Sequence, residues 1–384
     1  MPVLLAYQKS NEDFTEKPLV FADKQMSLLL NDALAANRIP RTIDENGDMH
    51  FTNFGFDWTE GFFPGTCWYL YEVTKEEKWK HAAQKFQKQF EDHKYKTTNH
   101  DLGFIFNCSY GNGYRLTKNE AFKKVLITAG DSLIIRFNPV VGSIKSWDVD
   151  RGWQSEKGWK FPVIIDNMMN LEMLFELSEL TGDDKYKKVA IAHADTTLKN
   201  HFREDNSSYH VVDYEPETGE VRSKQTAQGF ANESVWARGQ AWGIYGYTMC
   251  YRFTKDEKYL EQAQKIAEYI LNYNGMPEDG IPYWDYNDPE IPNSPRDASA
   301  AAITASALIE LNEYTKGKYE DAVDVILGSL ASEVYTAKLG ENKNFILKHS
   351  VGSIPHNNEI DVLLNYADYY YVEALIRYKK YKSK

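Results

Sequence analysis

Asp166 lies inside an apolar run, Phe161-Pro162-Val163-Ile164-Ile165-Asp166-Asn167-Met168-Met169-Asn170-Leu171, at the mouth of a predicted helix. An aspartate there either caps the helix or, with its pKa raised by apolar neighbours, keeps a proton that it can donate. No Glu or Gln follows at the capping-box position, which weakens the first reading. Asp101, in Asn99-His100-Asp101-Leu102-Gly103-Phe104, stands at a second junction between helices, with the same two readings. Two acids at corresponding junctions point into the same end of a helical ring. Glycosidic chemistry uses such a pair, one carboxyl giving a proton and the other holding charge or steering water. A third stretch holds His210, Gln228 and Trp236-Ala237-Arg238-Gly239-Gln240-Ala241-Trp242. It reads either as an aromatic helix seam with a surface arginine, or as a wall where the guanidinium fork grips a ligand carboxylate.

The frame that must position these residues shows in a phrase repeated five times. A helical stretch ends in Thr, a short polar run follows, and an aromatic residue opens the next helical stretch. The copies run Thr74 to Trp79, Thr117 to Phe122, Thr181 to Tyr186, Thr254 to Tyr259 and Thr315 to Tyr319. Each is a helix end, a tight turn and a polar first turn, and such repetition means stacked helical hairpins. Helices are expected at about 21–37, 60–73, 77–95, 101–116, 119–137, 165–180, 184–201, 234–253, 256–272, 297–314, 319–334 and 361–381. Twelve helices make six hairpins, which can close into a ring. Segments 138–162 (with Trp147, Trp153 and Trp159), 209–232 and 276–296 break the rhythm, and loops of that length are usually functional. No linker divides the chain, so 1–384 reads as a single domain, with about 1–18 as an N-terminal extension.

A net charge of −12 argues against nucleic acid and anionic membranes as partners. No apolar run approaches the ~20 residues that span a bilayer. Nine Trp and 26 Tyr exceed what core packing requires; their flat faces suit sugar rings as well as helix packing. Cys67, Cys108 and Cys250 show no CxxC spacing and the histidines form no HExxH, so neither a disulfide framework, a metal nor a cofactor is expected. Nothing points to an obligate protein partner. Pro2 to Tyr7 is too short for a complete signal peptide; it reads as the tail of a leader or as an arbitrary N-terminus, which leaves a periplasmic and a cytoplasmic location both open.

Taken together, His100-Asp101-Leu102-Gly103-Phe104, Asp166-Asn167-Met168-Met169-Asn170-Leu171, Trp236-Ala237-Arg238-Gly239-Gln240-Ala241-Trp242, Pro282-Tyr283-Trp284-Asp285 and Arg296-Asp297-Ala298-Ser299-Ala300-Ala301-Ala302 closely resemble the unsaturated glucuronyl hydrolases of glycoside hydrolase family 88. The resemblance runs in order from about Trp58 to Ala374. It implies an all-α, six-hairpin (α/α)6 barrel, in agreement with the twelve helices. It also implies a substrate class: glycosaminoglycan-type oligosaccharides from polysaccharide lyases, ending in a Δ4,5-unsaturated uronic acid. The family hydrates the C4=C5 vinyl ether rather than attacking the glycosidic bond. By position, Asp166 is implied as the general acid/base and Asp101 as the second carboxylate, bonding ring hydroxyls and tuning its partner. Trp58, His100, Trp147, His210, Gln228, Trp236, Arg238 and Trp242 fall on substrate-binding positions, with Trp153 an alternative to Trp147. The run from Lys348 to Glu359 falls where the family approaches the leaving sugar. Three rivals remain: an unsaturated rhamnogalacturonyl hydrolase on pectin products, a non-catalytic carbohydrate-binding toroid, and a sugar epimerase using His100 and His210.

Overall fold

The structure, a computed structural model, describes residues 14–53 and 55–384. The leader-like segment Pro2 to Tyr7 lies outside the described residues. Among those described, thirteen α-helical segments make twelve rods. They are α1 (Glu16–Ala36), α2 (Phe62–Thr74), α3 (Glu77–Gln87), α4 (Leu102–Phe106), α5 (Asn112–Thr117), α6 (Glu120–Ile134), α7 (Leu171–Thr181), α8 (Asp184–Asn200), α9 (Ala237–Thr254), α10 (Glu257–Asn272), α11 (Ala298–Tyr314), α12 (Glu320–Leu330) and α13 (Asn365–Lys382). A π-turn at Asn107–Gly111 joins α4 and α5 into one rod. The first helix starts earlier than its apolar pattern suggested: residues 16–18, expected in the extension, are helical, and Leu19 is buried.

The repeated phrase is the hairpin turn. Each Thr hydroxyl donates to the carbonyl four residues back, at Leu70, Gly113, Leu177, Cys250 and Leu311. In the first four copies it also accepts the backbone N–H two residues on. The residue between, Lys75, Lys118, Gly182 or Lys255, takes a left-handed conformation with φ of 55–73°, which ends the helix. Asn119, Asp183 and Asp256 then cap the next one with their side chains.

Six rods form an inner ring, α2, α4–α5, α7, α9, α11 and α13, and α13 packs back on α2 to close it. Two of the ring rods are buried all round over most of their length: every residue of α11 from Ala298 to Asn312 is buried, as is every residue of α13 from Asn365 to Ile376. Helices of that character belong inside. The outer helices carry one apolar stripe, in α10 Tyr259, Leu260, Ala263, Ile266, Ala267 and Ile270. This is the expected six-hairpin α/α toroid. No helix of the described residues is long and apolar enough to cross a membrane.

Because the hairpins alternate direction, all inner rods start at one end, where every long connection also lies. Those connections carry structure that helical periodicity does not announce. β1 (Pro40–Ile43) pairs with β2 (Met49–Phe51), and β3 (Phe137–Asn138) with β4 (Ser143–Ile144). β5 (Phe161–Ile164), β6 (Val211–Tyr214) and β7 (Val221–Gln225) form an antiparallel sheet with Phe161 opposite Tyr214 and Val211 opposite Gln225. That sheet gathers the candidate residues. β5 runs into the 3₁₀ turn Ile165–Asn170 with Asp166, His210 precedes β6, and Gln228 follows β7.

Candidate active site

A cavity of about 320 Å³ opens at the end where the inner rods begin. Of the sequence-predicted residues, Trp58, His100, Asp101, Trp147, Asp166, Gln228 and Arg238 line it. His210, Trp236 and Trp242 form a buried layer behind: the His210 ring lies 4.7 Å from that of Trp236, and Trp242 meets Phe104 edge-on at 5.1 Å. Trp153 lines the cavity as well as Trp147, their rings 5.2 Å apart with Trp159 stacked on Trp147 from behind, so neither replaces the other. A larger cleft of about 430 Å³, bounded by Arg203, Glu233, Tyr269 and Tyr273, takes none of the predicted residues.

Neither acid is a cap. Asp101 occupies the cap position of α4 without a side-chain bond to it, and Asp166 sits inside the 3₁₀ turn with Oδ2 buried and unpartnered. Asp297, by contrast, accepts the N–H groups of Ser299 and Ala300 at the start of α11. Burial pushes Asp101 up to about 8, with the charge of Asp166 adding to the rise. Burial likewise pushes Asp166 up to about 7, against the pull of Arg238. Two carboxyls therefore hold protons near neutral pH, the condition for proton donation. Gly103 makes their meeting possible, since a Cβ there would lie 2.3 Å from Asn170 Cα. That close approach seats α4 against the turn bearing Asp166.

The two histidines have determined tautomers. Asn170 Oδ1 accepts the Phe104 N–H, so its amide NH₂ faces His100 Nδ1 at 3.2 Å. His210 Nδ1 accepts two backbone N–H groups, from Ala227 at 3.0 Å and Gln228 at 3.2 Å. Each ring must then carry its proton on Nε2. Those atoms face the acids, His100 Nε2 at 3.3 Å from Asp101 Oδ1 and His210 Nε2 at 3.6 Å from Asp166 Oδ2. Burial pushes His100 down to about 3 and His210 well below its usual range, so both stay neutral. They are fixed donors rather than proton-transfer groups, which speaks against the epimerase reading.

Arg238 is buried, stacked 4.5 Å over Trp236, and largely occupied. Nη1 bonds Asp297 and the Val351 carbonyl, and Nη2 bonds the Gly352 carbonyl at 2.6 Å. Only Nε lacks any partner, so the fork expected to grip a ligand instead holds the C-terminal loop, leaving the Nε–H and the second Nη2 hydrogen unused. Sequence reasoning missed Arg41 and Asp57 on the wall, and gave Glu359 only as the end of the run near the leaving sugar. Arg41 bonds Glu359, 318 residues away, through Nε (2.7 Å) and Asp57, 16 residues away, through Nη1 (2.8 Å). Only the position of Asp57 beside Trp58 gave a signal; Arg41 had none. Ser353, His356 and Asn358 complete the rim, in the run expected near a leaving sugar.

Protonated acids in an aromatic-walled cavity at the mouth of a helical toroid are the equipment of an acid–base hydrolase that acts on carbohydrate. The family model described as Glycosyl Hydrolase Family 88 matches residues 34–383, and the chain belongs to that family. It is 45% identical to an unsaturated glucuronyl hydrolase of Formosa agariphila over 371 residues, 96% of this chain and 92% of that one. It is 35% identical to an unsaturated chondroitin disaccharide hydrolase of Streptococcus agalactiae over 84% of this chain and 82% of the other. A crystal structure of an unsaturated glucuronyl hydrolase specific for heparin superposes with a TM-score of 0.90 at 46% identity, covering 95% of this chain and 98% of that chain. The protein is thus a glycoside hydrolase.

Proposed function

We propose that this hydrolase releases the Δ4,5-unsaturated uronic acid from the non-reducing end of glycosaminoglycan-type lyase products, with the whole toroid acting as one catalytic domain. The observation that carries the reading is Asp166 Oδ2: buried, without a partner, and on a carboxyl raised to about 7 at the cavity wall. Asp166 gives its proton to C4 of the vinyl ether. The resulting oxocarbenium-like cation faces the carboxylate just formed and is shielded from bulk water by Trp58 and Trp147. Asp166 then takes a proton from the water that adds to C5. The C5 hemiketal opens by breaking the C5–O5 bond to a ketone, and the hemiacetal left at C1 expels the aglycone as an alcohol.

Asp101, protonated to higher pH, bonds ring hydroxyls and tunes Asp166. His100 and His210 supply fixed N–H donors; Gln228 and the free Arg238 Nε–H meet the sugar carboxylate. Trp236 and Trp242 back the pocket. The relatives' names span heparin and chondroitin products, which supports the glycosaminoglycan class over pectin. The test is the ultraviolet absorbance of unsaturated chondroitin, heparin and pectin disaccharides incubated with the protein, since hydration removes the conjugated C=C. Loss on a glycosaminoglycan product is expected. Loss on pectin products alone would move the substrate class, and no loss on any would leave a binding toroid.

A further inference from the structure

Arg136 follows α6 and is 8% exposed. Its Nε donates to the Lys145 carbonyl at 2.7 Å, and Nη1 donates to the Thr97 carbonyl and to Asp148 Oδ1, the latter at 3.0 Å. Nη2 is buried without a partner. These acceptors belong to two segments of the cavity wall. Thr97 begins the stretch that ends in His100 and Asp101, while Lys145 and Asp148 bracket Ser146 and Trp147. The same segments meet through the His100 N–H to the Ser146 carbonyl (3.3 Å) and a backbone bridge between Asn99 and Trp147. A planar fork reaches three acceptors in two segments where an ammonium would not.

We propose that Arg136 is a positioning residue for the hydration reaction, tying the Asp101 segment to the Trp147 segment and setting a buried positive charge beside Asp101. The proposal rests on the reading of Asp101 and Asp166 as the site's working carboxyls. The charged groups acting on Asp101 are few. Asp166 and Asp57 raise its pKa, Arg136 opposes them, and the Asn99 side chain bonds it; His100 beside it is neutral. Asp148 shares the Arg136 charge, and Lys145 is repelled by it.

Arg136→Met keeps most of the buried volume and removes the charge, whereas Arg136→Lys keeps the charge and loses the fork. Both are expected to lower kcat/KM on an unsaturated disaccharide by on the order of ten- to a hundredfold, through misplaced walls. Only Arg136→Met raises the titration midpoint of Asp101, because that acid then holds its proton to higher pH. An equal loss in both variants with the Asp101 midpoint unmoved would reduce Arg136 to a structural clamp and overturn the proposal. A titration without turnover separates this from failure of the reaction itself. In ¹³C-carboxyl aspartate-labelled protein, with the Asp101 signal assigned by its absence in Asp101→Asn, the Asp101 midpoint rises in Arg136→Met if the proposal holds and stays if it does not. Should Arg136→Met not fold, Asp148→Asn decides: freeing Arg136 from its competing carboxylate lowers the Asp101 midpoint, and an unchanged midpoint overturns the proposal.

Discussion

Burial raises Asp166 from an ordinary 3.8 to about 7, so the fold opposes the ionised form of the residue that its chemistry uses. Between about pH 4 and pH 7 the folded chain holds a proton that the unfolded chain has lost, and stability falls as pH rises through that window. Asp166→Asn cannot ionise. Its stability advantage over the parent should therefore grow between pH 5 and pH 8, by on the order of 2–4 kcal/mol. Denaturant melts at the two pH values measure it, and an advantage no larger at pH 8 would mean that Asp166 is not held protonated. The same variant should lose roughly 10²–10⁴-fold in kcat, the contribution general acid–base catalysis makes. In the unmodified protein kcat/KM should decline as pH passes about 7, where Asp166 gives up the proton that C4 needs. A rate that climbs through pH 8 would require the ionised form and reverse the assignment.

The elements set how closely the two acids meet. Gly103 lets α4 lie against the 3₁₀ turn of Asp166, and Phe104 N–H to Asn170 Oδ1 at 3.1 Å locks the contact. The clash that a methyl would meet is with Asn170 backbone, which cannot rotate away. Gly103→Ala should thus push Asp101 from Asp166 and cut kcat by about 10²-fold, measured on enzyme shown to be folded by circular dichroism. Near-normal kcat would mean that the spacing of the acids is not critical. At this scale the sequence was readable where one local rule repeats, as in the Thr turns, whose hydroxyls and left-handed Lys or Gly residues are set by neighbours a few residues away. Asp166 was readable because it interrupts an apolar run at a helix start, and Asp101 because it stands at a second junction between helices. The β5–β6–β7 sheet was not, since strands of four or five residues draw their stability from each other, β5 and β6 across some fifty residues of chain. For the same reason Arg238 looked free: its partners Asp297 and Val351 are 59 and 113 residues away.

Across the molecule, the inner ring is held at its axis by buried polar groups. Glu373 of α13 accepts Tyr69 of α2 (2.6 Å), Tyr245 of α9 (3.1 Å) and Ser306 of α11 (2.6 Å), while Arg377, Glu310, Arg252 and Glu172 extend the chain of contacts to α7. Glu373→Ala removes the acceptor shared by three hydroxyls and one of the two carboxylates that pair with Arg377, so it should cost about 1–3 kcal/mol, seen in a chemical melt, with kcat per folded molecule retained. A loss below ~1 kcal/mol would mean that the axis is not a structural hub. The charge of the whole chain bears on the substrate. At −12 the protein repels an anionic oligosaccharide at long range, and the cavity adds Asp57 and Glu359 against Arg41 rather than a cationic funnel. Raising ionic strength from about 0.01 to 0.15 M shortens the screening length from ~30 to ~8 Å, which removes repulsion beyond the contact shell but leaves the buried site untouched. Hence kcat/KM should rise with salt over that range while kcat stays flat. The rise should be steeper for a sulfated tetrasaccharide than for an unsulfated disaccharide, because more charge must approach. A fall in kcat/KM with added salt would instead mean that Arg41 and its neighbours attract the substrate more strongly than the net charge repels it.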